Sequence, residues 1–241
     1  MTTKKKKVAV FILFTPVFLL AFAILALEGT YYYQVAQIKP EKITVETKHS
    51  KIAIDSYLAS LKEKKWAELE SFSATEFLFR LFLAGSFYDY EEFHRILPAG
   101  IAVTSQMARS IAFKRSNRGN SGDWHLNNIV LSIWVSRNYT SQEAINYQLD
   151  TAYFGKNQIG MQKAANFYFS TTSQKLNANQ LMSLIAMPKA PSRYDPYCKP
   201  ERLEKRANYL LKTLSSFDSK RYSALTYTYP EFTQHSGITC K

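Results

Sequence analysis

The chain has 241 residues, of which 46% are hydrophobic and 15% aromatic, and a formal net charge of +12. That length allows one globular domain with appendages, and that apolar content excludes global disorder. The positive balance points to acidic partners such as lipid headgroups, a phosphorylated ligand or nucleic acid, although Lys4, Lys5, Lys6 and Lys7 supply four of the charges in one run.

Residues 8–27 carry no charge at all. At 1.5 Å rise per residue such a run spans about 30 Å, the thickness of a bilayer core. Lysines before the span and none directly after it predict a single-pass anchor in the plasma (inner) membrane, with residues 1–7 cytoplasmic and the bulk of the chain outside. Ala21, Phe22 and Ala23 also have the small-x-small shape of a signal-peptide cleavage site, so removal of this segment is the rival reading. Pro16 sits mid-span, where membrane helices tolerate proline.

Residues 28–50 read as a juxtamembrane connector, with Tyr31, Tyr32 and Tyr33 as an aromatic anchor at the interface. Residues 51–215 read as the domain. Ile54, Leu58 and Leu61 recur at helical spacing, and a second apolar-rich segment covers 72–87. The basic, glycine-containing stretch 114–122 reads as a solvated loop, and 129–134 as a buried run. Thr140 with Glu143 forms a capping box that opens a helix through Ile145, Leu149 and Ala152. Asn177 with Gln180 plays the same part for a helix ending before Pro188. Pro200 fits the first turn of a last helix, whose stripe of Leu203, Ala207, Leu210, Leu211 and Leu214 faces a core. Neither an alternating strand pattern nor an internal repeat is present, so the fold class is mainly α.

Residues 216–241 form a C-terminal extension whose Tyr227, Tyr229 and Phe232 either pack back on the domain or meet a partner. Cys198 and Cys240 would meet oxidising conditions in an exported domain, where they either pair as one disulfide or remain two thiols. His49, His94, His125 and His235 are scattered, and no metal site is expected from them.

The stretch 142–196 carries the most information. It reads QEAINYQLDTAYFGKNQIGMQKAANFYF and then, after a short break, QLMSLIAMPKAPSRYDP. It resembles the transglycosylase domain of bifunctional penicillin-binding proteins, the family 51 glycosyltransferases that polymerise peptidoglycan strands. The resemblance implies a lysozyme-like fold. The family's fourth motif corresponds to Ile145, Gln148, Leu149 and Asp150, followed by Tyr153, Phe154 and Gly155. The downstream proline-rich segment is present as Pro188, Ala190, Pro191, Ser192, Tyr194 and Pro196. The fifth motif corresponds to Lys205, Arg206 and Leu210.

The motifs that the resemblance associates with chemistry depart further. In the second, Thr104, Gln106 and Arg109 match, while Ile101 and Ala102 replace a Ser-Thr pair of hydroxyls. In the third, Trp124 and His125 stand in place of two cations and Asn128 in place of a carboxylate. The first motif should supply a glutamate that takes the proton of the acceptor sugar's hydroxyl while a lipid pyrophosphate leaves. Glu76, in the run Ser73, Ala74, Thr75, is the candidate base; a second register, using Asp89 and Tyr90, puts Leu78 at that position, Phe82 at the motif phenylalanine and Gly85 at its histidine. Glu91 and Glu92 lie too close to Gly100 for the family spacing.

By resemblance, Thr104, Gln106, Arg109, Asp150, Lys205 and Arg206 are the substrate-binding candidates, and a divalent cation such as magnesium or manganese is the implied cofactor. The expected partners are a lipid-linked peptidoglycan precursor or glycan strand, the membrane and other cell-wall synthesis proteins, with no nucleic acid. Two readings follow: a domain with impaired or absent catalysis that binds the precursor, and an active peptidoglycan glycosyltransferase using Glu76. A third, glycan hydrolysis, would use Glu76 as the acid. The tail after 215 is too short for a transpeptidase domain.

Overall fold

The computed structural model describes residues 3–45, 47–61, 69–86, 96–98, 100–115 and 121–240. Ten α-helices follow one another among them: α1 Thr3–Ile38, α2 Lys51–Ser60, α3 Ala74–Gly85, α4 Ile101–Arg115, α5 Ser121–Asn138, α6 Ser141–Thr151, α7 Met161–Phe169, α8 Ala178–Ala186, α9 Pro200–Phe217 and α10 Ser219–Tyr222. The described residues contain no strand, only an isolated antiparallel bridge between Tyr153 and Ile159.

Both expected capping boxes are formed. Thr140 accepts from the Glu143 N–H and Glu143 reaches back to the Thr140 N–H, and Asn177 and Gln180 do the same at α8. Each satisfies two of the amide groups that a helix start leaves open. Pro200 opens α9, and Leu203, Ala207, Leu210, Leu211 and Leu214 are all buried. Helices α4 and α5 pair along their length, α9 lies across α8 and α2, and α6 packs on α4. Tyr57, Met107, Val135, Leu149, Tyr168 and Leu184 belong to the main core they enclose.

α1 is one continuous helix from the apolar span to Ile38. Its stretch Thr15–Ile38 is long and apolar enough to cross a membrane. Residues 28–38, expected as connector, continue this helix and pack against α3 and α5. Tyr31 is buried at 4% exposure against Phe72, Phe77, Val130 and Ile133. It is therefore a core residue rather than an interface anchor, whereas Tyr32 and Tyr33 are exposed. The following strap is fastened at three points to α6 and the turn that precedes it. Lys42 pairs with Glu143 at 3.2 Å, the Ile43 N–H donates to the Tyr139 hydroxyl at 2.7 Å, and His49 reaches Asp150.

Of the stretch 114–122, Lys114 and Arg115 end α4 while Ser121 and Gly122 begin α5; residues 116–120 lie outside the described residues. Cys198 and Cys240 are joined in a disulfide. The tail packs back on the domain: the Thr233 N–H donates to the Tyr168 carbonyl at 2.8 Å, the Tyr229 hydroxyl donates to the Pro196 carbonyl at 2.9 Å, and Phe232 is buried.

Candidate functional site

Glu76 stands in the first turn of α3, where its own N–H is capped by the Ser73 hydroxyl at 2.9 Å. Acidic residues are favoured at that end of a helix dipole. Its carboxylate is half exposed and not free. Arg80, one turn on, donates to Glu76 Oε1 at 2.6 Å and to both oxygens of Glu70 at 3.2 and 2.5 Å. One guanidinium thus serves two carboxylates, a fork geometry that lysine does not reproduce. Its hydrogen bonds to Glu70, more than the one to Glu76, push the Arg80 pKa up. Leu78, in the second register, is a partly exposed apolar residue on the same helix, and Phe79 and Phe82 beside it are among the most exposed large apolar groups outside the span. Asp89, Glu91 and Glu92 lie outside the described residues.

The three second-motif matches on α4 point in different directions. Thr104 is fully buried and spends its hydroxyl on the Ile101 carbonyl at 3.0 Å. Gln106 accepts a short hydrogen bond from the Tyr57 hydroxyl of α2; burial of that hydroxyl raises its pKa well above the ordinary tyrosine value. Arg109 is exposed. On α5, Trp124 and His125 meet edge to face at 5.0 Å between ring centroids. The Asn128 amide donates to the Trp124 carbonyl at 2.8 Å. That bond leaves Oδ1 buried without a partner.

Asp150 closes α6. One of its oxygens lies 2.8 Å from His49 Nε2, with the imidazole almost wholly buried and the carboxylate 30% exposed. The chain then turns through Tyr153, Phe154 and Gly155. Gly155 has φ +84° and packs beneath the Tyr168 hydroxyl, which donates to the Phe154 carbonyl at 3.0 Å. Lys156 pairs with Asp195 at 2.9 Å, tying this loop to the proline-rich segment. On α9, Lys205 is exposed. Arg206 lies 5.6 Å from the Tyr209 ring centre with its Nε buried and unpartnered. The amide nitrogen of Gln148 is likewise buried without a partner. Unmet polar groups of this kind cost about 1–3 kcal/mol each unless a ligand or water meets them.

Among the described residues no hydrogen bond or ion pair joins one of the seven candidates Glu76, Thr104, Gln106, Arg109, Asp150, Lys205 and Arg206 to another. Residue-type reasoning missed their actual partners, Tyr57, His49 and Arg80. Of these only Arg80 was readable, as the i+4 neighbour of Glu76. A divalent cation of the magnesium type needs carboxylate oxygens. The third-motif position offers a single neutral amide oxygen, Glu76 is held by Arg80, and no group of three or more His, Cys, Asp or Glu gathers among the described residues. The described donors do not fit such an ion.

A helical domain with a capped α6, a glycine-bearing loop closed on a proline-rich segment and a basic α9 is of the lysozyme-like transglycosylase class. Residues 84–215 match the sequence profile of the transglycosylase family. The chain belongs to that family.

It is similar to penicillin-binding protein 1A of Streptococcus pneumoniae, with 31% identity over 120 residues, 50% of this chain and 17% of that protein. Penicillin-binding protein 1A of Pseudomonas aeruginosa is 30% identical over 132 residues, 54% of this chain and 16% of the relative. Penicillin-binding protein 1A/1B of Bacillus subtilis is 36% identical over 87 residues, 36% of this chain and 10% of its own length. The chain therefore spans less than a fifth of the curated relatives it matches.

Proposed function

We propose that this protein is a single-pass membrane protein whose transglycosylase-family domain binds lipid-linked peptidoglycan precursor or glycan strands, with impaired or no polymerising activity. The observation that carries the reading is the Glu70–Arg80–Glu76 triad. A general base must present a free lone pair to the hydroxyl it deprotonates. At Glu76 one oxygen already holds a guanidinium N–H at 2.6 Å, so only the other oxygen is left to take a proton, and the carboxylate is fixed in place by Arg80. Asn128 adds to this, because a neutral amide neither accepts a proton nor offers the anionic oxygen that would hold a metal ion against a leaving pyrophosphate.

Two exposed cations support the binding part of the reading. Lys205 and Arg109 are exposed cations open to phosphate oxygens. The lysine run before the span favours a cytoplasmic N-terminus. The Cys198–Cys240 disulfide suits an oxidising, extracytoplasmic compartment for the domain. Other cell-wall synthesis proteins are the natural partners of a domain that holds the precursor without extending it.

The test is polymerisation and binding of a fluorescent lipid-linked disaccharide-peptide by the detergent-solubilised chain, beside Glu76→Gln. Saturable binding without product supports the proposal. Product that disappears in Glu76→Gln overturns it in favour of an active transferase with Glu76 as base. The half-exposed position of that carboxylate is the observation on that side.

A further inference from the structure

The span and the domain meet at a polar junction whose members lie far apart in sequence. Glu28 is the first charged residue after the apolar run. One of its carboxylate oxygens accepts from the Thr75 N–H at 3.1 Å and from the Thr75 hydroxyl at 3.4 Å, at the start of α3. The other accepts from Arg137 Nη2 at 3.4 Å, in the last turn of α5. Arg137 also donates through Nε to the Phe72 carbonyl at 3.1 Å, and its guanidinium lies 4.5 Å from the Tyr31 ring centre.

Both charged side chains are 22% exposed. In such partly desolvated surroundings an ion pair that also satisfies backbone groups is less screened than one in water. Beneath it, Tyr31 closes the small core with Phe72, Phe77, Val130 and Ile133.

The junction falls where α1 changes surroundings. Before it, Val17, Phe18, Leu19, Leu20, Phe22 and Leu25 are open to the outside; after it, Tyr31 is buried and Val35 and Ile38 pack on the domain. A flexible linker of a dozen residues would let the domain wander by about 20 Å. Here the membrane helix instead enters the domain unbroken as far as Ile38.

We propose that Glu28 and Arg137 are positioning residues that lock the domain at one height and tilt above the bilayer. The lock holds the domain over the headgroup layer, where a membrane-held ligand presents its sugars. The part concerning the ligand rests on the function proposed above; the part concerning orientation does not.

The experiment uses the full chain in nanodiscs of phosphatidylethanolamine and phosphatidylglycerol, with a fluorophore at Ser216→Cys on α9 and acceptor-labelled headgroups. Wild type is expected to give one narrow distance distribution, broadened by Arg137→Ala and by Glu28→Ala. Arg137→Lys and Glu28→Gln, which keep part of the hydrogen bonding, should be intermediate. In the alanine variants affinity for the bilayer-embedded precursor should drop about tenfold while affinity for its water-soluble disaccharide fragment stays constant, because only the effective concentration at the membrane changes.

A wild type that is already broad, or folded alanine variants that stay narrow, overturns the lock. Equal loss of both affinities with unchanged distances overturns it as well, since that is the mark of a damaged binding site. A wild type that binds neither ligand form rejects the proposed function, and the distance distributions still decide the lock.

Discussion

Gly160 stands with φ +89°, and a Cβ at that position would lie 2.6 Å from the backbone oxygen of Asp150. The contact is backbone against backbone, so no side-chain rotation relieves it. Its own N–H donates to the Ala152 carbonyl at 2.9 Å, closing the loop on α6. Gly160→Ala is expected to destabilise the domain by about 2–4 kcal/mol, combining a left-handed backbone penalty with a displaced turn. Chemical denaturation of the two proteins measures this directly. A change below about 0.5 kcal/mol, the range of ordinary surface substitutions, would show that the loop relaxes freely.

His49 and Asp150 join the strap after α1 to the end of α6 across 101 residues of sequence. Removing the imidazole leaves the Asp150 carboxylate short of a partner and opens a space where the one buried side chain among the strap's described residues stood. His49→Ala is expected to cost about 1–3 kcal/mol. It should also raise hydrogen exchange selectively in residues 39–50, leaving the α8–α9 pair protected. Uniform loss of protection would mean that the strap unfolds only with the whole domain.

Much of the helical frame was readable because it rests on neighbours in sequence. Thr140 with Glu143, Asn177 with Gln180, and the stripe from Leu203 to Leu214 are all relations of three to five residues, the reach of helix caps and turns. The junction of Glu28 with Arg137 and the pairing of Tyr57 with Gln106 were not, because tertiary packing alone brings those residues together. Tyr31 illustrates the cost: three tyrosines after an apolar run match an interface belt, yet one of them turns inward beneath a distant arginine. At the candidate site, residue types suggested positions of the family pattern, while the partner that holds Glu76 was visible only as a helical neighbour. What Thr104 and Gln106 face depends on the rotation of α4, which three matching letters do not specify.

Alkaline pH offers a test of the buried tyrosines. Burial first, and then the hydrogen bond to Asp55 at 2.5 Å, push the Tyr222 hydroxyl up to about 12 from 10.0. Burial raises Tyr197 and Tyr227 to about 12 as well. The unfolded chain releases these protons near 10 while the folded domain keeps them, so the folded state binds more protons in between. Stability is then complete below pH 10 and is lost as pH rises towards 12. Denaturant midpoints measured across that window should fall steadily, and less steeply in Tyr222→Phe. A flat profile would contradict the burial of these groups.

The Thr140–Glu143 box gives the opposite sign in acid. The Thr140 backbone N–H, opposed by desolvation and aided by Lys42, holds the Glu143 carboxyl below its ordinary 4.5. A lowered acid contributes stability that is present above pH 4.5 and lost as pH falls through the folded value. Thr140→Ala removes the reciprocal cap and is expected to cost about 1 kcal/mol at neutral pH. It should also flatten part of the acid limb, because Glu143 then loses its hydroxyl partner at 3.0 Å. An acid limb of unchanged slope in Thr140→Ala would assign it to the retained Thr140 backbone N–H or to other carboxylates.

The disulfide closes a segment of 42 residues that contains all of α9, α10 and the tail. In the chain-entropy account a loop of that size stabilises the folded state by about 4 kcal/mol, mostly by restricting the unfolded chain. The tail also has contacts of its own, through Thr233, Tyr229 and the stacking of His235 on Phe167 at 4.0 Å. Cys198→Ser with Cys240→Ser should therefore lower the denaturant midpoint strongly while leaving the tail seated, with Phe232 still protected from solvent. Hydrogen exchange of residues 226–236 distinguishes the two effects. If those amides exchange freely in the double variant at neutral pH, the covalent bond rather than packing holds the tail on the domain.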